Sequence, residues 1–115
     1  KFPTIKKVIG LAPVTDMVES QARELGRGAV REWLGRDAHE RPELDPMVRA
    51  PIAAETAFIH GALDERVPLE LSEKYLAAMK AYGKEVSLEI LPDTSHFQMM
   101  EIPSPTFEAL LRAIN

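Results

Sequence analysis

Three short apolar runs set the limits on this fold: Lys7–Ala12, Thr56–His60 and Val86–Leu91. The first is continuously apolar after its lysine and stops at Pro13; the second is apolar to its end, where Gly61 breaks it. Both fit strands covered on two faces. The third alternates apolar and polar until its last residue. That pattern predicts a place near a sheet edge, with one face better covered than the other.

Helical signals fill the intervals. Thr15 or Asp16 can cap a helix through roughly Leu25, with Gly26 as its stop, and a second short helix over Ala29–Leu34 ends at Gly35. Residues 36–51 are polar and punctuated by proline, which predicts a connection with at most one further helical turn. The acidic run Glu40, Glu43 and Asp45 reads there as a solvated loop. Pro68 suits the first turn of a helix, where its missing N–H costs nothing. Leu71, Tyr75, Ala78, Met79 and Tyr82 follow as its apolar stripe, and Gly83 closes it. A last helix opens at Ser104-Pro105, with Phe107, Leu110, Leu111 and Ile114 as its buried face. Strands alternating with helices predict an α/β fold, with parallel pairing and right-handed crossovers. At 115 residues the chain has room for one such domain.

Charge and composition exclude several classes. Lys and Arg number 14 against 18 Asp and Glu, a net charge of −4. This argues against nucleic acid or an anionic membrane surface as a partner, since both need basic patches. There is no cysteine, hence no disulfide framework and no thiolate zinc site. No apolar run approaches the roughly 20 residues of a membrane span. A cytoplasmic location is the default expectation. The chain opens Lys1-Phe2-Pro3 rather than with methionine, so its true N-terminus is expected elsewhere, and targeting signals are not legible.

Two polar residues stand directly after strand-like runs. Asp64 lies in His60-Gly61-Ala62-Leu63-Asp64-Glu65-Arg66-Val67-Pro68, and His96 follows 32 positions later in Asp93-Thr94-Ser95-His96-Phe97. Open parallel sheets bind ligands beyond the carboxyl ends of their strands, so both residues should share one rim. A carboxylate that fixes the tautomer of an imidazole, and an imidazole that takes a proton from a hydroxyl, form the working pair of a nucleophilic hydrolase. The hydroxyl has no obvious source here. Ser20 and Ser72 fall on helices, Ser87 is mid-strand, Ser95 adjoins His96, and Ser104 reads as a cap. No Gly-x-Ser-x-Gly elbow occurs in the sequence.

With these loops in place, the chain resembles the C-terminal half of an α/β-hydrolase, close to kynurenine-formamidase-like and acetyl-esterase/lipase-like members. Four segments carry the likeness: Leu11-Ala12-Pro13-Val14-Thr15-Asp16, Arg31-Glu32-Trp33-Leu34-Gly35, the acid loop from Phe58 to Pro68, and the histidine loop Leu91-Pro92-Asp93-Thr94-Ser95-His96-Phe97. Ser95 departs from the glycine that many relatives carry. The resemblance implies a partial α/β-hydrolase fold, about three parallel strands with flanking helices, without the N-terminal half of the sheet. Residues 28–51 would form a cap or connecting segment. It implies Asp64 as the acid and His96 as the general base of a serine hydrolase cleaving a carboxylic ester or related acyl bond. The nucleophile would lie outside this chain, and the chain alone would be inactive. No metal or organic cofactor is implied.

Val14, Trp33, Val67, Phe97 and Met100 are candidates for the substrate pocket, with core packing an alternative for each. His60 precedes the strand break and reads as structural. A zinc site from His60, Asp64 and His96 has no recognised ligand spacing behind it. The family sheet has more strands than this chain supplies, so the Val8–Leu11 edge would be bare. A bare apolar edge invites a homodimer or a complementing N-terminal half. Two rival readings stand beside the hydrolase: a non-enzymatic half-domain that dimerises and at most binds a small ligand, and an unrelated flavodoxin-like binding domain.

Overall fold

The structure, a computed structural model, describes residues 3–115; Lys1 and Phe2 lie outside it. Three strands, β1 (Lys7–Leu11), β2 (Glu55–Gly61) and β3 (Val86–Leu91), form one parallel sheet in the order β1-β2-β3. The register runs Leu11 to Ile59 on one side of β2 and Gly61 to Leu91 on the other. Central β2 is buried from Thr56 to Gly61. The expectation for β1 needs correction: every residue in it is only partly buried. As an outer strand it has β2 on one side and no described strand on the other, so apolar content did not secure full cover.

Alternate residues of β2 serve two cores. Ile59 packs with Ala12, Leu91, Met99 and Ala109 beneath α5 (Pro105–Ile114). Phe58 packs with Tyr75, Met79 and Val86 beneath α4 (Leu69–Ala81). The helices therefore cover opposite faces of the sheet, the layering that βαβ units produce. Phe58 and Tyr75 stack obliquely, with ring centroids 5.5 Å apart. Within α4, Leu71, Tyr75 and Met79 are buried as expected. Tyr82 is not, because the helix has ended and the chain turns out through Gly83, whose φ is +77°. Ser72, near the start of the helix, is fully buried beside Leu71.

The face of α5 also differs from expectation. Thr106 and Ala109 are buried, and Leu110 and Ala113 pack partly against the core. Phe107, Leu111 and Ile114 are exposed. The small residues let the helix lie close to the sheet and turn its larger apolar side outward. Ser104 caps the helix as expected, its Oγ accepting from the Phe107 N–H at 3.1 Å.

Before β2 the chain is broken into short pieces. Asp16 caps α1 (Met17–Ala22), three residues shorter than the expected helix. α2 (Leu25–Leu34) contains left-handed backbone at Gly26, Arg27 and Gly28, so its regular part begins at Ala29 and ends on Gly35, as read. Two 3-10 turns (Ala38–Glu40 and Pro42–Leu44) and the single turn α3 (Pro46–Arg49) complete the connection. Asp45 corrects the reading of this segment as a solvated acidic run. It is buried, and its Oδ1 accepts from the N–H groups of both Met17 and Met47, each at 3.1 Å. One carboxylate thus ties the starts of two helices together. Among the described residues, no helix is long and apolar enough to cross a membrane.

Candidate active site

The acid loop leaves β2 at Gly61 and returns into α4 at Pro68. Its shape is set by Asp64 itself. Oδ1 accepts from the N–H groups of Arg66 and Val67, both at 2.8 Å, which curls the loop around the carboxylate. The Asp64 side chain is completely buried. The histidine loop leaves the neighbouring strand β3. Two backbone bonds join the loops: Ala62 N–H to the Leu91 carbonyl at 2.9 Å and Leu63 N–H to the Thr94 carbonyl at 3.1 Å. After His96 a 3-10 turn (Phe97–Met100) is anchored in the core by Met99.

This framework places His96 Nδ1 2.8 Å from Asp64 Oδ2. An ionised carboxylate only accepts, so Nδ1 carries the proton of that bond and Nε2 is the basic nitrogen. No bond to Nε2 occurs among the described residues, and the ring remains 28% exposed. His96 lines an open cleft of about 250 Å³. The cleft wall includes Val14, Val67 and Phe97, three of the expected pocket residues, together with Leu25, Ala29 and Val30, which were not singled out in the sequence. Phe97 stands edge-on to the imidazole at 5.7 Å, and the Arg66 guanidinium lies 4.8 Å above the Phe97 ring.

Trp33 and Met100 do not join them. Both are strongly exposed and neither lines the cleft. Trp33 sits on the outer side of α2, whose inner side is Val30 and Leu34. Met100 follows the buried Met99 and so points the other way. The 28–51 segment contributes Ala29 and Val30 to the cleft, while Leu34 and Ala38 pack with Met17 and Val18 of α1.

No serine is bonded to His96. Ser20 lines the same cleft, but its buried hydroxyl has no hydrogen-bond partner among the described residues. Ser72 is engaged with His60. His60 offers no lone pair to a metal, since Nε2 faces the Val67 carbonyl and Nδ1 the Ser72 hydroxyl, both at 2.8 Å. Among the described residues, no group of three or more His, Cys, Asp or Glu could hold a metal ion.

An acid and a histidine hydrogen-bonded across adjacent parallel strands, with helices on both sheet faces, define a part of the α/β-hydrolase fold. Solved structures agree. An acylaminoacyl peptidase of Pyrococcus horikoshii superposes with a TM-score of 0.70 at 24% identity, covering 94% of this chain and 18% of that one. Esterase 2 of the planctomycete Thermogutta terrifontis, with butyrate bound, gives 0.70 at 20% identity, covering 93% and 40%. The chain thus spans well under half the length of these structures, and at such identities the likeness is one of fold. No curated protein matches the sequence. The prolyl oligopeptidase family model matches residues 5–109, and the chain belongs to that family. The match does not reach the finer placement among kynurenine-formamidase-like and acetyl-esterase-like enzymes expected from the loops.

Proposed function

We propose that this chain supplies the acid and the general base of a serine hydrolase that cleaves a carboxylic ester or related acyl bond through an acyl-enzyme. Asp64 orients His96 and stabilises its imidazolium form. His96 Nε2 accepts the serine proton and returns it to the leaving group. The serine comes from another stretch of polypeptide lying along β1. The observation that carries this reading is the 2.8 Å bond between Asp64, whose side chain is fully buried, and a His96 whose other nitrogen has no partner among the described residues and lies beside an apolar cleft. A cleft of about 250 Å³ walled by valines and a phenylalanine suits a short acyl or small aromatic group. That favours esters and arylformamides, the substrates of the finer resemblance, and the Thermogutta esterase was solved with butyrate.

The test is turnover of p-nitrophenyl acetate and butyrate. The 115-residue chain alone is expected to show none. A protein joining it to a segment with a Gly-x-Ser-x-Gly elbow is expected to hydrolyse both, and His96→Ala is expected to abolish that activity. Activity untouched by His96→Ala would overturn the reading.

A second reading rests on a different observation. β1 has no described neighbour on its outer side, and α5 turns Phe107, Leu111 and Ile114 outward. A half-domain that pairs with a second copy through these features would bury both without any chemistry. Sedimentation at micromolar concentration tests it: a stable dimer of the isolated chain keeps this reading, and a monomer removes it.

A further inference from the structure

His60 is fully buried and belongs to no step of the proposed reaction. Its position at the end of β2 places the ring between three elements. Nδ1 is 2.8 Å from the Ser72 hydroxyl in α4. Nε2 is 2.8 Å from the Val67 carbonyl at the end of the acid loop, and 3.6 Å from Asp64 Oδ2. The Val67 carbonyl and the Asp64 carboxylate only accept, so Nε2 carries a hydrogen. In the neutral ring the Ser72 hydroxyl then donates to Nδ1, which fixes the tautomer.

Val67 is therefore held at both ends. Its N–H donates to Asp64 Oδ1 and its carbonyl accepts from His60. Val67 shares the hold on Asp64 Oδ1 with the Arg66 N–H, and a shift of Val67 would strip a buried carbonyl of its donor, which is costly away from water. Residues behind the reacting groups of a site commonly set their orientation in this way.

We infer that His60 is a positioning residue for the Asp64–His96 pair and acts through the Val67 carbonyl. The inference deepens the hydrolase reading and depends on it for any effect on turnover. The placement of the pair is a separate observable. A glutamine amide nitrogen stands close to the position of a histidine Nε2, whereas an asparagine amide reaches only as far as Nδ1. His60→Gln therefore keeps the donor to Val67, and His60→Asn keeps only the contact with Ser72.

The experiment uses the full-length protein that carries this chain, with those two variants and Ser72→Ala. It reads the low-field proton resonance of His96 Nδ1–H by NMR, together with kcat and KM. In His60→Asn the resonance is expected to vanish, and kcat to fall about 10- to 100-fold, the cost of misplacing a reacting group by roughly an ångström. KM should hardly change. His60→Gln is expected to restore the resonance and most of kcat. Ser72→Ala frees the ring to rotate and is expected to broaden the resonance, which keeps the question answerable if His60→Asn does not fold. A sharp, unshifted resonance in a folded His60→Asn, or in Ser72→Ala, overturns the inference. A wild-type protein that shows the resonance but hydrolyses nothing removes the catalytic reading and leaves the placement to be judged on the resonance alone.

Discussion

The carbonyl oxygen of Thr94 occupies the space that a side chain on Gly61 would need: a Cβ at Gly61 would stand 2.1 Å from it. The acid loop and the histidine loop touch here backbone to backbone, with nothing flexible to give way. Gly61→Ala must push the two loops apart. A loss of about 1–3 kcal/mol is expected, the usual range for overpacking a tight site. Urea unfolding of the variant beside the wild type measures it. Unchanged stability would mean that the loops are not in contact.

Asp64→Asn keeps the shape of the acid loop, because its amide oxygen can still accept from Arg66 and Val67. The amide nitrogen then faces His96 Nδ1 and forces the imidazole into the opposite tautomer. If the proposed function holds, kcat of a protein joining this chain to a serine elbow is expected to fall about 10⁴-fold, the size seen when the acid of a Ser-His-Asp triad becomes an amide. The melting temperature should move little. Equal activity of the two proteins would take Asp64 out of the mechanism.

Acid stability has a contributor far from the site. The Asp37 carboxyl is lowered from 3.8 to about 2, first by the backbone N–H of His39, then by the His39 ring and the Gln21 amide. A depressed carboxyl stabilises the fold above its unfolded value and loses that contribution as pH falls through its folded value. The gap in melting temperature between wild type and Asp37→Asn should therefore be constant above about pH 5 and close as pH approaches about 2. A gap that stays constant to the lowest pH contradicts this.

Trp33, the single tryptophan, is 67% exposed and outside the cleft. Emission from the isolated chain is expected at solvent-like wavelengths and to be quenched by iodide. Trp33→Phe should change the stability of the chain by no more than about 0.5 kcal/mol, as surface changes usually do. A buried, unquenched indole would return it to the pocket wall.

The strands, and the two loops that bring Asp64 and His96 together, were legible because their signals are local. Gly61, Pro68 and the apolar runs mark where backbone must turn or stay extended, and Asp64 and His96 stand directly after those marks. Faces were harder to read. Phe107, Leu111 and Ile114 recur at helical spacing, yet the helix lies on its small residues Thr106 and Ala109. Periodicity tells that a stripe exists; what the stripe meets is decided by neighbours elsewhere in the chain. Asp45 and Ser72 were missed for a related reason. A buried polar side chain is stabilised by partners distant in sequence, Met17 for one and His60 for the other, and no local pattern announces them.

The pairing of acid and base through a single strand-helix-strand unit freezes the count of residues between them. Removing one residue within α4 would swing all that follows by about 100° and carry Ser72, Tyr75 or Met79 out of place. An insertion at the bend of Ala53 and Ala54, which belongs to no element, would cost little more than a slightly longer loop. Variation in length is thus open at the amino ends of the strands, away from the bonded pair, and closed between its two members.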